Sequence, residues 1–236
     1  GVGTNITKHY RKNALKHLSE QTGMTFAPPE DPRAAMRSAY PLADLSGALR
    51  NLAVELSRIA SDFRLMDSGP MTGIGELRMP PVQPGSSIMP GKVNPVMAEC
   101  LNMIAFQVMG HDQVVSLAAE HGQFEINVMW PAIAYNLLQA LEILARYLPH
   151  FAKNCIDGIQ IEREICAHYA EISPSLATVL NPVIGYAKAA EIVKEAVKRK
   201  VTIRALLKET KLLSDEEIDK LFDPRALTGA LDSPDA

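Results

Sequence analysis

Cysteine is scarce in this chain, with three residues, Cys100, Cys155 and Cys166, among 236. The count is odd and no pair has CxxC or metal-ligand spacing, which excludes a disulfide framework and a cysteine-built zinc site. The three read as reduced thiols of an intracellular, cytoplasmic protein, buried as small hydrophobes. Aromatic residues are also few, at 6% with a single tryptophan. No apolar run approaches the roughly 18–20 residues of a membrane helix, so a membrane partner is excluded. The N-terminal GVGTNITKHYRK lacks the apolar stretch of a secretion signal. Neither sign of charge is in excess: 24 Lys+Arg stand against 27 Asp+Glu, a formal net charge of -3. That balance speaks against nucleic acid, because phosphate binding needs a basic surface. The chain has no initiator Met and starts in a Gly-rich turn, so it reads as a piece of something longer.

What is present is helical periodicity, on a composition of 47% apolar and 22% charged residues that supports a packed core. Leu45, Leu49, Leu52, Leu56, Ile59, Phe63 and Met66 recur at alternating gaps of 4 and 3, predicting one long amphipathic helix that ends at Asp67-Ser-Gly-Pro70. A second helix is expected to start at Asn94-Pro95, with Asn94 as N-cap, Pro95 at the first helical position and Glu99 in the first turns. Its stripe is Met97, Leu101, Ile104, Val108, His111, Val115 and Ala118. A third, from about Asn127 to Lys153, carries Ile133, Leu137, Leu141, Leu144, Leu148 and Phe151, with Pro149 expected to bend or end it. Shorter helical pieces follow over 158–169, 186–200, 203–209 and 215–222. Among them Ser214 and Glu217 have the spacing of a capping box. The reading is all-α: a long-helix bundle over 1–165 and a small helical subdomain over 166–236. Rods of about 25 residues span roughly 35–40 Å, and apolar seams of that length are buried against other rods, which predicts a homo-oligomeric bundle.

Between the first two long helices, residues 67–94 hold five of the 16 prolines and five of the 14 glycines in 28 residues without periodicity. A loop of that length inside a compact domain is functional or disordered. Within it, Gly85-Ser86-Ser87-Ile88-Met89-Pro90-Gly91-Lys92-Val93-Asn94-Pro95 places two hydroxyls on a Gly-flanked loop, then a cation, then a helix N-terminus. Free backbone N–H groups, the positive dipole end and Lys92 make an anion site, beside which a serine of depressed pKa could act as a base. The same residues equally read as a proline-rich connector running into a capped helix. Elsewhere His111 reads as a satisfied core histidine, and Glu120 and His121 as a helix end. No histidine pair has i, i+4 spacing, so no metal site and no cofactor is expected. Lys194, Lys198, Arg199 and Lys200 read as the basic end of one helix.

The run GSSIMPGKVNP resembles the signature of the fumarase/aspartase superfamily. Arg64-Leu-Met-Asp-Ser-Gly-Pro70, Gly122-Gln-Phe-Glu-Ile-Asn-Val128 and Leu180-Asn-Pro-Val-Ile-Gly-Tyr186 extend the resemblance over essentially the whole chain, in the order of the C-terminal half of such an enzyme. The resemblance implies a lyase that eliminates across a carbon–carbon bond of a small dicarboxylate and releases fumarate. It implies Ser86 as the base that removes the Cβ proton and Ser87 as a holder of the closed loop 84–94. Lys92 and Asn94 would bind a substrate carboxylate, Glu99 would be a supporting acid, and Met89 would line the pocket. The family's N-terminal domain is absent, and its active sites look like composites of three subunits. Activity is therefore expected to need the missing half, as a second chain or in an intact precursor, within a homotetramer. Pro95-Val-Met-Ala-Glu99 and Ala118-Ala-Glu-His-Gly-Gln-Phe-Glu125 look more like aspartases, which deaminate L-aspartate, than like class II fumarases, which hydrate fumarate. A catalytically silent helical scaffold is the third reading.

Overall fold

The computed structural model describes residues 2–69 and 71–228. It falls into two compact units, Gly1–Gln160 and Ile161–Ala236. The first holds α1 (Tyr10–Thr22), α2 (Pro32–Arg37), α3 (Tyr40–Met66), β1 (Leu77–Arg78), α4 (Val96–Glu120) and α5 (Trp130–Asn154). The strand β2 (Gln160–Ile161) spans the boundary. The second unit holds α6 (Arg163–Ile172), α7 (Asn181–Ile184), α8 (Tyr186–Arg199), α9 (Ile203–Thr210), α10 (Asp215–Leu221) and α11 (Pro224–Leu227). The architecture is a helical bundle with a small helical unit. No helix among the described residues is long and apolar enough to cross a membrane.

In the bundle, α4 packs along both α3 and α5. The contact is close because its seam is built of small side chains. Ala53 of α3, Ala105 of α4 and Ala140 of α5 share one core cluster with Val108 and Leu144. Helix axes approach where contact residues are small. Layers to either side hold Ala60, Ala98, Leu101 and Phe151 at the signature end, and Val115, Ala118, Ile133 and Leu137 at the other.

The buried seam of α3 differs from the periodic leucine stripe. It runs Ser46, Leu49, Ala53, Leu56, Ala60, Phe63, of which Ser46, Ala53 and Ala60 are fully enclosed. Leu45, Leu52 and Ile59 are left 43%, 44% and 37% exposed. Two heptad rows lie side by side on this helix, and α4 selects the one whose alternate positions are small. Of the two outcomes expected at Pro149, a helix end is not found, since α5 runs through it to Asn154. The carbonyl that loses its partner there lies beside an exposed proline, while buried Phe151 and Cys155 hold the last turn in the core. Pro70, expected as a stop signal, lies outside the described residues; α3 ends at Met66, with Gly69 at φ 145° just beyond.

Buried polar groups tie the rods at fixed heights. The Asn102 amide donates to the Ser57 carbonyl at 2.9 Å and its oxygen accepts from Arg64 at 3.1 Å. Ser46 donates to Asp112 at 2.7 Å. His111 is enclosed as expected, with Nδ1 2.7 Å from the Asn136 oxygen. Asn127 donates to the Ala118 carbonyl at the end of α4 and accepts from the Met129 amide ahead of α5. One side chain thus joins the two helix ends. In the second unit, Leu180, Leu207, Ile218 and Phe222 form the core. The Ser214–Glu217 capping box is complete on α10, both of its reciprocal bonds being made.

Candidate active site

The signature segment is anchored at both ends before it reaches its serines. After α3, the Asp67 carboxylate accepts the Met79 amide at 2.8 Å, and the Ser68 hydroxyl accepts that of Ile74 at 3.1 Å. Gly73 lies so close that a Cβ there would stand 2.3 Å from the Ser68 carbonyl group. These contacts fold residues 71–79 back against the end of α3. Burial raises the Asp67 carboxyl above its ordinary value, partly offset by the Met79 amide and the nearby Arg78. Beneath the loop, burial pushes up the Cys155 thiol, with the Asp67 charge adding to it. The space between Met79, Pro80, Pro95 and Met97 holds no water-sized gap.

The loop closes on itself. The Ser86 amide donates to the Lys92 carbonyl at 3.1 Å, and the Lys92 amide to the Met89 carbonyl at 3.2 Å. Gly91, at φ 78°, makes the tight return. Within this ring the Ser86 hydroxyl oxygen accepts two backbone N–H groups, from Ile88 at 3.1 Å and from Met89 at 3.0 Å. Two converging amide dipoles favour negative charge on that oxygen.

Of the residues singled out from sequence, Ser86, Ser87, Met89, Lys92 and Asn94 sit on this one loop, and Glu99 lies in the first turn of α4 just beyond. Ser86, Asn94 and Glu99 are half-buried, whereas Ser87, Met89 and Lys92 are exposed. Ile88, at the tip, is 86% exposed. The loop is an open wall, not a cavity. Asn94 does not cap the helix: the N-cap is Pro95, and no side chain satisfies the α4 terminus. The Val96 amide turns back to the Asn94 carbonyl at 2.8 Å, so the backbone bends between them and the Asn94 amide is released from capping. The α4 terminus is braced from α5 instead, by the Tyr147 hydroxyl donating to the Met97 carbonyl at 2.6 Å. Burial and the adjacent Cys100 raise the Tyr147 pKa above its ordinary value.

Sequence reasoning passed over Tyr147 and the anchoring role of Asp67. Neither carries a local signal, since each acts through a backbone group 50 and 12 residues away, respectively. Among the described residues no three His, Cys, Asp or Glu side chains are placed to hold a metal ion.

Two family models match the chain: one described as lyase, over residues 1–110, and one described as fumarase C C-terminus, over 176–229. Aspartate ammonia-lyase of Helicobacter pylori is 42% identical over 225 residues, covering 94% of this chain and 48% of that protein. The chain belongs to the fumarase/aspartase superfamily. Class II fumarate hydratase of Xylella fastidiosa is likewise 42% identical over 228 residues, covering 97% of the chain and 48% of the relative. The fold agrees with the superfamily bundle: the crystal structure of recombinant class II fumarase from Schistosoma mansoni superposes with a TM-score of 0.88. It is 37% identical, with 95% of this chain and 50% of that one covered. The chain spans about half the length of the curated relatives it matches.

Proposed function

We propose that the signature loop is one wall of an active site that removes a Cβ proton from a C4 dicarboxylate, and that the reaction is deamination of L-aspartate to fumarate and ammonia. The observation that carries this reading is the Ser86 hydroxyl oxygen held by the Ile88 and Met89 amides. Once deprotonated, Ser86 Oγ takes the Cβ proton. The electron pair left on carbon passes into the neighbouring carboxylate, building a second negative charge on its oxygens. Collapse of that dianion forms the double bond and expels ammonia from Cα. Lys92 and the Asn94 amide face the carboxylate and stabilise the dianion more than the ground state, which is how binding becomes rate. Ser87 and Met89 flank the substrate on the closed loop. Glu99 supports the anchor from the first turn of α4.

The open loop supports a composite site. The remaining walls come from the family's N-terminal segments and from other subunits of a cytoplasmic homotetramer. The exposed row of Leu45, Leu52 and Ile59 on α3, with Met103, Phe106 and Leu117 on α4, supports burial against further helices of such an assembly. Hydration of fumarate is the second reading, favoured by the fumarate hydratase relative at equal identity. Both reactions use the same base and carboxylate anchor. A silent scaffold stands third, and the intact Ser86, Lys92 and Asn94 speak against it.

The test is fumarate absorbance with the full-length protein, run in parallel on L-aspartate and L-malate. Turnover of aspartate supports the deaminase; turnover of malate alone replaces it by fumarase; turnover of neither leaves the scaffold. Ser86→Ala should lower kcat by orders of magnitude with little change in substrate affinity, since the hydroxyl matters mainly in the transition state. Lys92→Ala should damage both, because its charge meets the carboxylate in both states. The loss of one charge-assisted contact is about ten- to a hundred-fold.

A further inference from the structure

Lys92 and Asn94, the two groups proposed to hold a substrate carboxylate, belong to different parts of the backbone. Lys92 is part of the loop ring: its carbonyl accepts the Ser86 amide at 3.1 Å, and its own amide donates to the Met89 carbonyl at 3.2 Å. Asn94 belongs to the approach to α4, since the Val96 amide turns back onto its carbonyl at 2.8 Å. Val93, 49% exposed, is the one residue between them. The ring can therefore keep Ser86 and Lys92 together while Asn94 follows the start of the helix. No side chain caps that start. Among the described residues, what reaches its first turn from outside α4 is the Tyr147 hydroxyl, 2.6 Å from the Met97 carbonyl and shorter than the usual O–H···O bond.

Tyr147 is itself held in place. Its ring centroid lies 6.4 Å from that of Phe151, and Phe151 stacks on Phe63 at 6.4 Å. Phe63 sits in the last turn of α3, where its carbonyl accepts the Asp67 amide at 2.9 Å as the chain leaves for the loop. Three rings thus link the helix end from which the loop departs to the turn at which it returns. Burial and the adjacent Cys100 raise the phenol pKa, so the hydroxyl keeps its proton and donates throughout the neutral range. We propose that Tyr147 is a positioning residue, which through the Met97 carbonyl holds Asn94 in register with Lys92 so that both meet one carboxylate. This rests on the proposed role of those two residues as anchors. Without the hydroxyl the first turn of α4 loses its side-chain tie, and helix ends without ties fray. Ser86 and Lys92 would stay with the ring while Asn94 drifts from them.

The experiment is a double-mutant cycle between Tyr147→Phe and Asn94→Ala in the full-length protein, followed by fumarate absorbance on whichever of L-aspartate and L-malate the parent turns over. Tyr147→Phe keeps the three rings, so the melting temperature should fall by no more than about 2–4 °C. The substitution should lower kcat/KM about ten-fold when Asn94 is present. Once Asn94 is alanine it should cost almost nothing further, because the residue it positions is gone. Amide exchange at Val96 and Glu99, read without substrate, should quicken in Tyr147→Phe. Additive losses in the cycle would reduce Tyr147 to a stability role and overturn the assignment, as would unchanged exchange at those two amides. A parent inactive on both substrates would overturn the anchor roles of Lys92 and Asn94, and this inference with them; an active parent with additive losses overturns this inference alone.

Discussion

A Cβ on Gly85 would stand 1.4 Å from the carbonyl oxygen of Lys92. No side chain fits there, because the obstacle is backbone and not the movable end of a neighbour. This contact closes the neck of the loop and sets where Ser86 lies relative to Lys92. Gly85→Ala should therefore break the Ser86–Lys92 backbone bond and misplace base and anchor together, lowering kcat/KM by about a hundred-fold or more. The loop is exposed, so the melting temperature should hardly move. Full activity in Gly85→Ala would show that the neck is not what positions the serine.

Asn94→Ala isolates binding from folding. An N-cap truncation would cost about 1 kcal/mol, but the Asn94 side chain makes no cap bond. The expected result in denaturant titration is an unchanged midpoint, accompanied by weaker dicarboxylate binding. A midpoint shift matching a lost cap would restore the capping role.

Asp67 gives a pH dependence whose sign runs against the usual carboxylate. Its folded pKa is raised by burial above the ordinary 3.8. The folded state therefore favours the protonated group, and this contribution is complete below the ordinary value and lost as pH rises through the folded one. Asp67→Asn retains an acceptor for the Met79 amide without the buried charge, so at neutral pH its melting temperature should equal or exceed the parent's. Asp67→Ala leaves that amide unpaired and should cost about 1–2 kcal/mol. Equal losses in both variants would mean that the charge itself is needed.

The capping box of α10 titrates the other way. Hydrogen bonds from the Ser214 amide and hydroxyl hold the Glu217 carboxyl below its ordinary 4.5. Its contribution is present at neutral pH and lost as pH falls through the depressed folded value. Ser214→Ala should cost about 1 kcal/mol at pH 7, and the difference from the parent should shrink on acidification. Amide exchange at Ile218, buried in the core of the second unit, reports on this turn in the full chain. Exchange unchanged by the substitution at pH 7 would remove the cap from the account.

The long helices, the capping box and the unusual composition of residues 67–94 were legible in the sequence because each rests on interactions within a few residues. Periodicity, cap spacing and the reach of a backbone turn are local. The eleven-residue run from Gly85 to Pro95 likewise carried its family and its candidate base and anchors in one contiguous stretch. The small alternate positions of the buried row of α3 were not legible, although its Leu49, Leu56 and Phe63 were. Alanine and serine have little apolar weight of their own, and only the approach of α4 makes Ser46, Ala53 and Ala60 a seam while Leu45, Leu52 and Ile59 stay outside. The role of Asn94 was decided in the same way, since a bend at Asn94–Pro95 carries its amide away from the α4 terminus, which Tyr147 braces from another helix. The two amides on the Ser86 oxygen depend on the ring closing at Lys92. Chemical types are a property of the sequence, but direction belongs to the folded backbone, because a hydrogen bond acts only where donor and acceptor are brought within about 3 Å and aligned.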